Sequence, residues 1–197
     1  MPKIIDVEKK REEIMKEAID VFAEKGYYNT TLSDIAERCG MGRTTLYQYF
    51  KNKDEIYCYT IDYITGAIEN DYKSILKQPD LTVIEKIKLV AAKAIMEYDK
   101  EKAMMIVISD LLVRHRKENN ELPNKLTDKI SFLKDIFNHM IEEGMENEEI
   151  RPVNAQSMAF TLSSLVESFA IKAPLDRNIP IEDHLKSINV LVDGLKA

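Results

Sequence analysis

Apolar positions recur along most of this chain at the three- and four-residue steps of an α-helix. Over residues 8–25, Ile14, Ala18, Val21 and Phe22 form an inward stripe with charges between them, and Gly26 after Lys25 is the natural stop. Two shorter helical patterns follow within residues 31–53, split by Gly40-Met41-Gly42. Thr31 with Asp34 has the form of a capping box, Ile35 and Ala36 supply a small buried face, and Gly40 ends the segment where a positive φ costs nothing. The second pattern runs from about Arg43 to Phe50. It turns Leu46 and Phe50 to the core and leaves Arg43, Thr44, Thr45, Tyr47, Gln48 and Tyr49 largely outward. Two short helices joined by a glycine turn, the second with donors on its free face, describe a helix-turn-helix.

Asn52 is a plausible cap for a long helix over residues 53–77, with Asp54 and Glu55 suited to the positive end of its dipole. Tyr57, Ile61, Ile64, Ile68, Tyr72 and Ile75 make its stripe, and no flexible linker separates it from the motif. The pattern thus predicts a rigid rod between reading head and body. Pro79-Asp80 breaks it, and further helices are predicted over about 82–99, 101–118, 123–145, 154–172 and 181–195. Strand signals, internal repeats and low-complexity segments are absent. The expected fold is all-α. An N-terminal three-helix DNA-binding head, residues 1–54, is joined by the long helix to a larger C-terminal helical body, residues 55–197.

The last two helices have the look of an interface. Met158, Leu162, Leu165, Val166 and Phe169 share one stripe beside the small Ser163, Ser164 and Ala170. Ile181, Leu185, Ile188, Val192 and Leu195 form a narrow seam of the kind that packs helix on helix. Pattern alone leaves open whether the seam faces a partner or the chain's own core.

Composition sharpens the picture in two places. The net charge of −6 argues against a nucleic-acid binder, but its distribution does not. Residues 1–54 hold ten basic and ten acidic side chains, so the remainder carries the whole excess. Within 27–53, four basic residues (Arg38, Arg43, Lys51, Lys53) face two acidic ones (Asp34, Glu37). A small local basic surface suits one docking face on a body that should not dock. No run approaches the roughly 18 apolar residues that cross a bilayer, and the first residues lack an apolar signal core, so no membrane contact and a cytoplasmic location are expected. Cys39 and Cys58 read as free thiols in a reduced compartment.

Docked in a major groove, the second helix of the motif would bring Arg43 to guanine and Gln48 to adenine, with Thr44 and Thr45 near a thymine methyl or a phosphate. Tyr47, Tyr49 and Lys53, with Thr30 or Thr31 at the preceding helix start, are the expected phosphate-positioning groups on double-stranded DNA. A solvated face making only phosphate contacts is the plainer alternative for Arg43 and Gln48. Catalytic signals are missing: no Gly-rich phosphate loop, nucleophile elbow or paired-cysteine motif occurs. His139 with Glu142 or Glu143 has a spacing two metal ligands could share, but a charged helix face gives the same by chance, so neither metal nor cofactor is expected.

Thr31, Ile35, Ala36, Gly40, Leu46, Tyr47, Tyr49, Phe50 and Lys53 stand in register with the signature of the tetracycline-repressor (TetR) family, which the chain resembles over about residues 10–60. Cys39, where that family usually has Ala, and Gly42, in place of a capping Ser, depart from it. The resemblance implies a sequence-specific transcriptional regulator, most often a repressor, acting as a homodimer on a near-palindromic operator. It implies that the last two helices pair across subunits, through Met158, Leu162, Leu165, Val166, Phe169, Leu185, Ile188 and Val192. It also implies a pocket in the body for a small apolar or amphipathic effector of unknown identity, with Tyr98, Met104, Met105, Ile108, His139 and Phe160 as candidates. Met and aromatic residues on an apolar stripe are more often simply core. A helical interaction module with a vestigial head is the competing reading.

Overall fold

The computed structural model describes residues 7–101, 103, 106, 107, 109, 131–172 and 180–197. Its helices are α1 (Val7–Lys25), α2 (Leu32–Arg38), α3 (Arg43–Leu46), α4 (Lys53–Leu76), α5 (Val83–Lys100), α6 (Phe132–Glu146), α7 (Ala155–Lys172) and α8 (Ile181–Asp193). Residues 103, 106, 107 and 109 are also helical. The only extended pairing among the described residues is an isolated bridge, Ile150 with Lys196. Two compact units divide the chain within α4: the first takes residues up to Tyr63 with the described residues 103–109, the second begins at Ile64.

In the first unit, α1 buries Ile14, Met15, Ala18, Ile19, Val21 and Phe22. Against that face the core gathers Ile35 and Ala36 of α2, Leu46 of α3, then Phe50, Ile56 and Tyr57. Three rings lock the unit together: Tyr27 lies 5.5 Å from both Phe22 and Tyr57, and the Tyr57 hydroxyl donates to the Val107 carbonyl at 2.9 Å. The Arg11 guanidinium lies 4.7 Å from the Phe50 ring and 4.6 Å from the Tyr59 ring, with Glu55 at 3.5 Å. Edge and face contacts of this kind add directional preference to what burial already supplies.

In the second unit, α5 opens on a capping box, Thr82 with Glu85, and buries Val83, Ile84, Ile87, Val90, Ala91, Ala94, Ile95 and Tyr98. Phe137, Met140 and Ile141 of α6 and Ala159, Leu162, Val166 and Phe169 of α7 complete that core. Gly144 on α6 allows the following turn to fold back, since a Cβ there would lie 2.6 Å from Ile150 Cδ1.

Two expectations change. The recognition segment is regular α-helix only over Arg43–Leu46; beyond it the amides of Gln48 and Tyr49 bond three residues back, to Thr45 at 3.1 Å and Leu46 at 3.0 Å. No side chain caps it at Gly42, and beyond Leu46 these three-residue bonds are mixed with a four-residue one, from the Phe50 amide to the Leu46 carbonyl at 3.0 Å. The stripe expected at a subunit interface is largely internal: Leu162, Val166, Phe169, Ile188 and Val192 are each 5% exposed or less. Met158, Leu165 and Leu185 are half-buried. The three- and four-residue stripe marks the side of each helix that packs against its own unit. The apolar groups left outward lie on other faces: Phe160 on α7, Val190 and Leu191 on α8.

Candidate nucleic-acid interface

Helix α2 is set by its ends. The Asp34 amide donates to Thr31 Oγ1 at 3.2 Å and the Thr31 amide donates to Asp34 Oδ2 at 2.8 Å, the reciprocal box that the spacing predicts. The Lys25 ammonium donates to Asp34 at 2.7 Å, and these partners hold the Asp34 carboxyl well below the usual carboxylate range. At the other end Gly40 takes φ +63°, and the Met41 amide reaches back to Ala36 O at 2.9 Å. A residue with a Cβ is strained in that conformation. The turn therefore delivers the chain to α3 in one direction.

Helix α3 is anchored from below by Leu46 and Phe50, both 0% exposed. Arg43, Thr44, Thr45, Tyr47 and Gln48 lie outward, and Tyr49 is half-buried. Arg43 Nη2 donates to the Tyr47 hydroxyl at 2.9 Å, and the guanidinium carbon lies 5.4 Å from that ring's centre. A group expected at a base edge is thus linked to one expected at a phosphate, and the phenol still has its own proton to donate. Arg38 is engaged by Glu24 on α1, while Lys51 is exposed.

Two of the expected phosphate contacts are otherwise occupied. Thr30 is 2% exposed, and its hydroxyl donates to the Gly26 carbonyl at 2.8 Å. It fastens the turn after α1 and has no donor to offer outward. The Lys53 ammonium is half-buried and donates to three carbonyls, Tyr27 at 2.7 Å, Thr30 at 3.1 Å and Tyr28 at 3.2 Å. It also lies 4.4 Å from the centre of the Tyr27 ring. An ammonium has three N–H donors, so the carbonyls account for all of them. The same cluster holds a contact that the sequence did not suggest, a hydrogen bond from the Tyr27 hydroxyl to the Asp54 carboxylate. Sequence alone had no handle on it, because its partners lie more than twenty residues apart.

The expected effector residues divide. Tyr98 is 7% exposed within the second unit, and burial pushes its phenol pKa up. His139 is exposed and Phe160 is 64% exposed, so neither lines an interior. Both fall on the outward side of helices whose apolar stripe faces inward. Met104, Met105 and Ile108 lie outside the described residues. A half-buried group absent from the candidates is Glu167 on α7, whose carboxyl burial pushes up to about 7 and whose charge acts on Tyr98. Among the described residues no cluster of three His, Cys, Asp or Glu side chains could hold a metal ion, and no helix is long and apolar enough to cross a membrane.

Comparison with known proteins agrees with this geometry. Residues 14–58, which hold α2, the turn and α3, match the model of the bacterial regulatory proteins, tetR family. The fatty acid metabolism regulator protein of Bacillus subtilis is 28% identical over 139 residues, 71% of this chain and 70% of its own length. The biofilm operon negative regulator IcaR of Staphylococcus epidermidis is 36% identical, over 32% of this chain and 38% of its own. A putative fatty acid metabolism regulator of Clostridium perfringens shares the fold at TM-score 0.79 and 22% identity, over 94% of this chain and 99% of that one. The regulator FadR of Bacillus subtilis, solved in complex with stearoyl-CoA, does so at TM-score 0.77 and 24% identity, over 92% and 96% of the two chains.

Proposed function

We propose that this chain, whose residues 14–58 match the tetR family model, is a DNA-binding transcriptional regulator rather than an enzyme, a homodimeric repressor released from its operator by an acyl-chain effector. Residues 1–54 form the reading head in this proposal and 55–197 the effector-binding and dimerisation body. The observation that carries it is the division of α3. Leu46 and Phe50 are sealed at 0% exposure, while Arg43, Thr44, Thr45, Tyr47 and Gln48 stand on the free side. A four-residue helix with so little regular structure is stabilised by those two anchors, and its exposed donors are the type that reads base edges and phosphates.

Two such heads on one two-fold axis enter successive major grooves roughly 34–36 Å apart. The partner surface we assign is the outward apolar side of the last two helices, which carries the exposed Phe160, Val190 and Leu191. For the effector, two regulators similar to this chain over most of its length are named for fatty acid metabolism, and FadR of Bacillus subtilis was solved with stearoyl-CoA. A coupling of roughly 1–3 kcal/mol between effector and DNA changes operator affinity about 5- to 150-fold. The protein works on DNA in the cytoplasm in this proposal.

The test is a gel shift of the full chain on DNA flanking its own coding region, with and without stearoyl-CoA. A discrete, salt-sensitive complex dissolved by the thioester supports the proposal. A discrete complex indifferent to acyl-CoA removes the effector class, and binding no tighter than to unrelated DNA removes the operator.

A further inference from the structure

We propose that Lys53 is a positioning residue, a clasp that ties the first turn of α4 to the turn before α2 and so fixes the direction in which α3 is presented. The inference rests on the DNA-binding reading above and assigns a role within it. Tyr27, Tyr28 and Thr30 carry the three carbonyls that the ammonium reaches, at 2.7, 3.2 and 3.1 Å. These residues end one residue before Thr31, the cap of α2. The adjacent Asp54 accepts from the Tyr27 hydroxyl, and the Tyr27 ring lies under the Lys53 ammonium at 4.4 Å. Two consecutive residues of α4 thereby hold the same turn, one by its carbonyls and one through its aromatic side chain. Charge-assisted bonds to three converging acceptors resist rotation in a way that a single contact does not. From the turn, the Thr31–Asp34 box carries the constraint into α2, and Leu46 and Phe50 carry α3 on the shared core.

The clasp is a matter of shape as well as charge. An ammonium presents three donors in a cone, which fits three carbonyls gathered round one point; a guanidinium presents its donors in a plane. Lys53→Arg therefore separates this role from a phosphate contact, since Arg binds a phosphate at least as well as Lys. The consequence of losing the clasp is a head whose recognition helix wanders relative to α4. In a dimer, that shows as tolerance for wrongly spaced half-sites.

The experiment uses the full chain as Lys53→Arg, with Lys53→Met and Tyr27→Phe alongside, and has two arms. In the first, amide hydrogen exchange is followed on free protein. Exchange at Thr30 and Thr31 is expected to rise about tenfold or more in Lys53→Arg, the loss expected of a charge-assisted bond, while the α1 interior stays protected. Unchanged exchange there overturns the proposal without any reference to DNA. In the second arm, duplexes selected from a random pool by the wild type are rebuilt with one base pair inserted or deleted between half-sites. Lys53→Arg is expected to bind the original more weakly, to discriminate against altered spacing at least several-fold less, and to keep the wild-type slope of log affinity against log salt. Tyr27→Phe is expected to shift in the same direction by less. A Lys53→Met slope shallower by about 0.9, with Lys53→Arg binding like wild type, identifies a phosphate contact and overturns the clasp. Should the wild type select no duplex, the DNA-binding reading fails, and the exchange arm still decides the clasp.

Discussion

The Arg43–Tyr47 pair gives the sharpest prediction about how operator sequence is read. Arg43 stands on the exposed side of α3 with its guanidinium held by the Tyr47 phenol at 2.9 Å and lying 5.4 Å from that ring's centre. A bidentate Arg–guanine contact discriminates by roughly 1–3 kcal/mol, so Arg43→Ala should flatten preference at one base pair by about 5- to 150-fold. Tyr47→Phe keeps the ring, and with it a cation–π attraction of roughly 0.5–1 kcal/mol at an exposed site. It removes the phenol, whose bond to Arg43 is an exposed pair four residues apart and is worth roughly 0.2–0.5 kcal/mol. Where the phenol also donates to a phosphate, a uniform loss of about 1 kcal/mol is added for every sequence. Two components are therefore expected in Tyr47→Phe: a loss common to all duplexes, and a base-dependent loss of about twofold at the position Arg43 reads. The base-dependent part should vanish in the Arg43→Ala background, while the common part should persist. The assay is competition binding to four duplexes differing at that one base pair, at fixed salt, for wild type, both single variants and the double variant. A Tyr47→Phe penalty identical on all four duplexes, unchanged by Arg43→Ala, would refute the linkage.

Other outcomes follow from the body. Phe160→Lys combined with Val190→Lys places charges on the outward apolar side of α7 and α8, where Phe160 is 64% and Val190 71% exposed. Sedimentation should show a folded monomer, and a persisting dimer would move the interface elsewhere. Gly144→Ala brings a Cβ to 2.6 Å from Ile150 Cδ1 and 3.1 Å from Val83 Cγ1, and overpacking of this kind should cost about 1–3 kcal/mol in urea unfolding. Burial raises the Glu167 carboxyl from 4.5 to about 7, so between those values the folded protein keeps a proton that the unfolded chain has released. Stability owed to this group therefore falls as pH rises from the lower value through the higher one. Glu167→Gln should raise the melting temperature at about pH 8 and leave it nearly unchanged at about pH 4; equal shifts at both would remove burial of a charge as the cause.

What could be read from sequence was what short-range physics decides. The Thr31–Asp34 box and the left-handed Gly40 depend on residues a few positions apart, and both stand where the spacing placed them. The inward stripe of α1 and the anchoring of α3 by Leu46 and Phe50 followed from helical period alone. Roles decided by distant partners were illegible. Lys53 stood in a motif as a surface cation, but its three acceptors lie 23 to 26 residues back in the chain. Thr30 and Thr31 are neighbours with the same side chain; only the path of the turn sends one hydroxyl to Gly26 and makes the other a cap. Period failed in one further respect. Helices α7 and α8 are apolar on more than one side, and a stripe of Leu162, Val166 and Phe169 does not say whether it meets the chain's own core or a second subunit. Glu167 could not be singled out among many glutamates, since only its burial distinguishes it.

The central claim is that the exposed side of α3 reads a duplex while a second copy of the chain fixes where the next α3 lands. Selection of the full chain against a pool of random-sequence duplexes tests it most directly. The account predicts enrichment of a near-palindrome whose half-site centres lie roughly one helical turn apart, lost on Arg43→Ala. Enrichment of no sequence, or of a lone half-site without a symmetric mate, would contradict it.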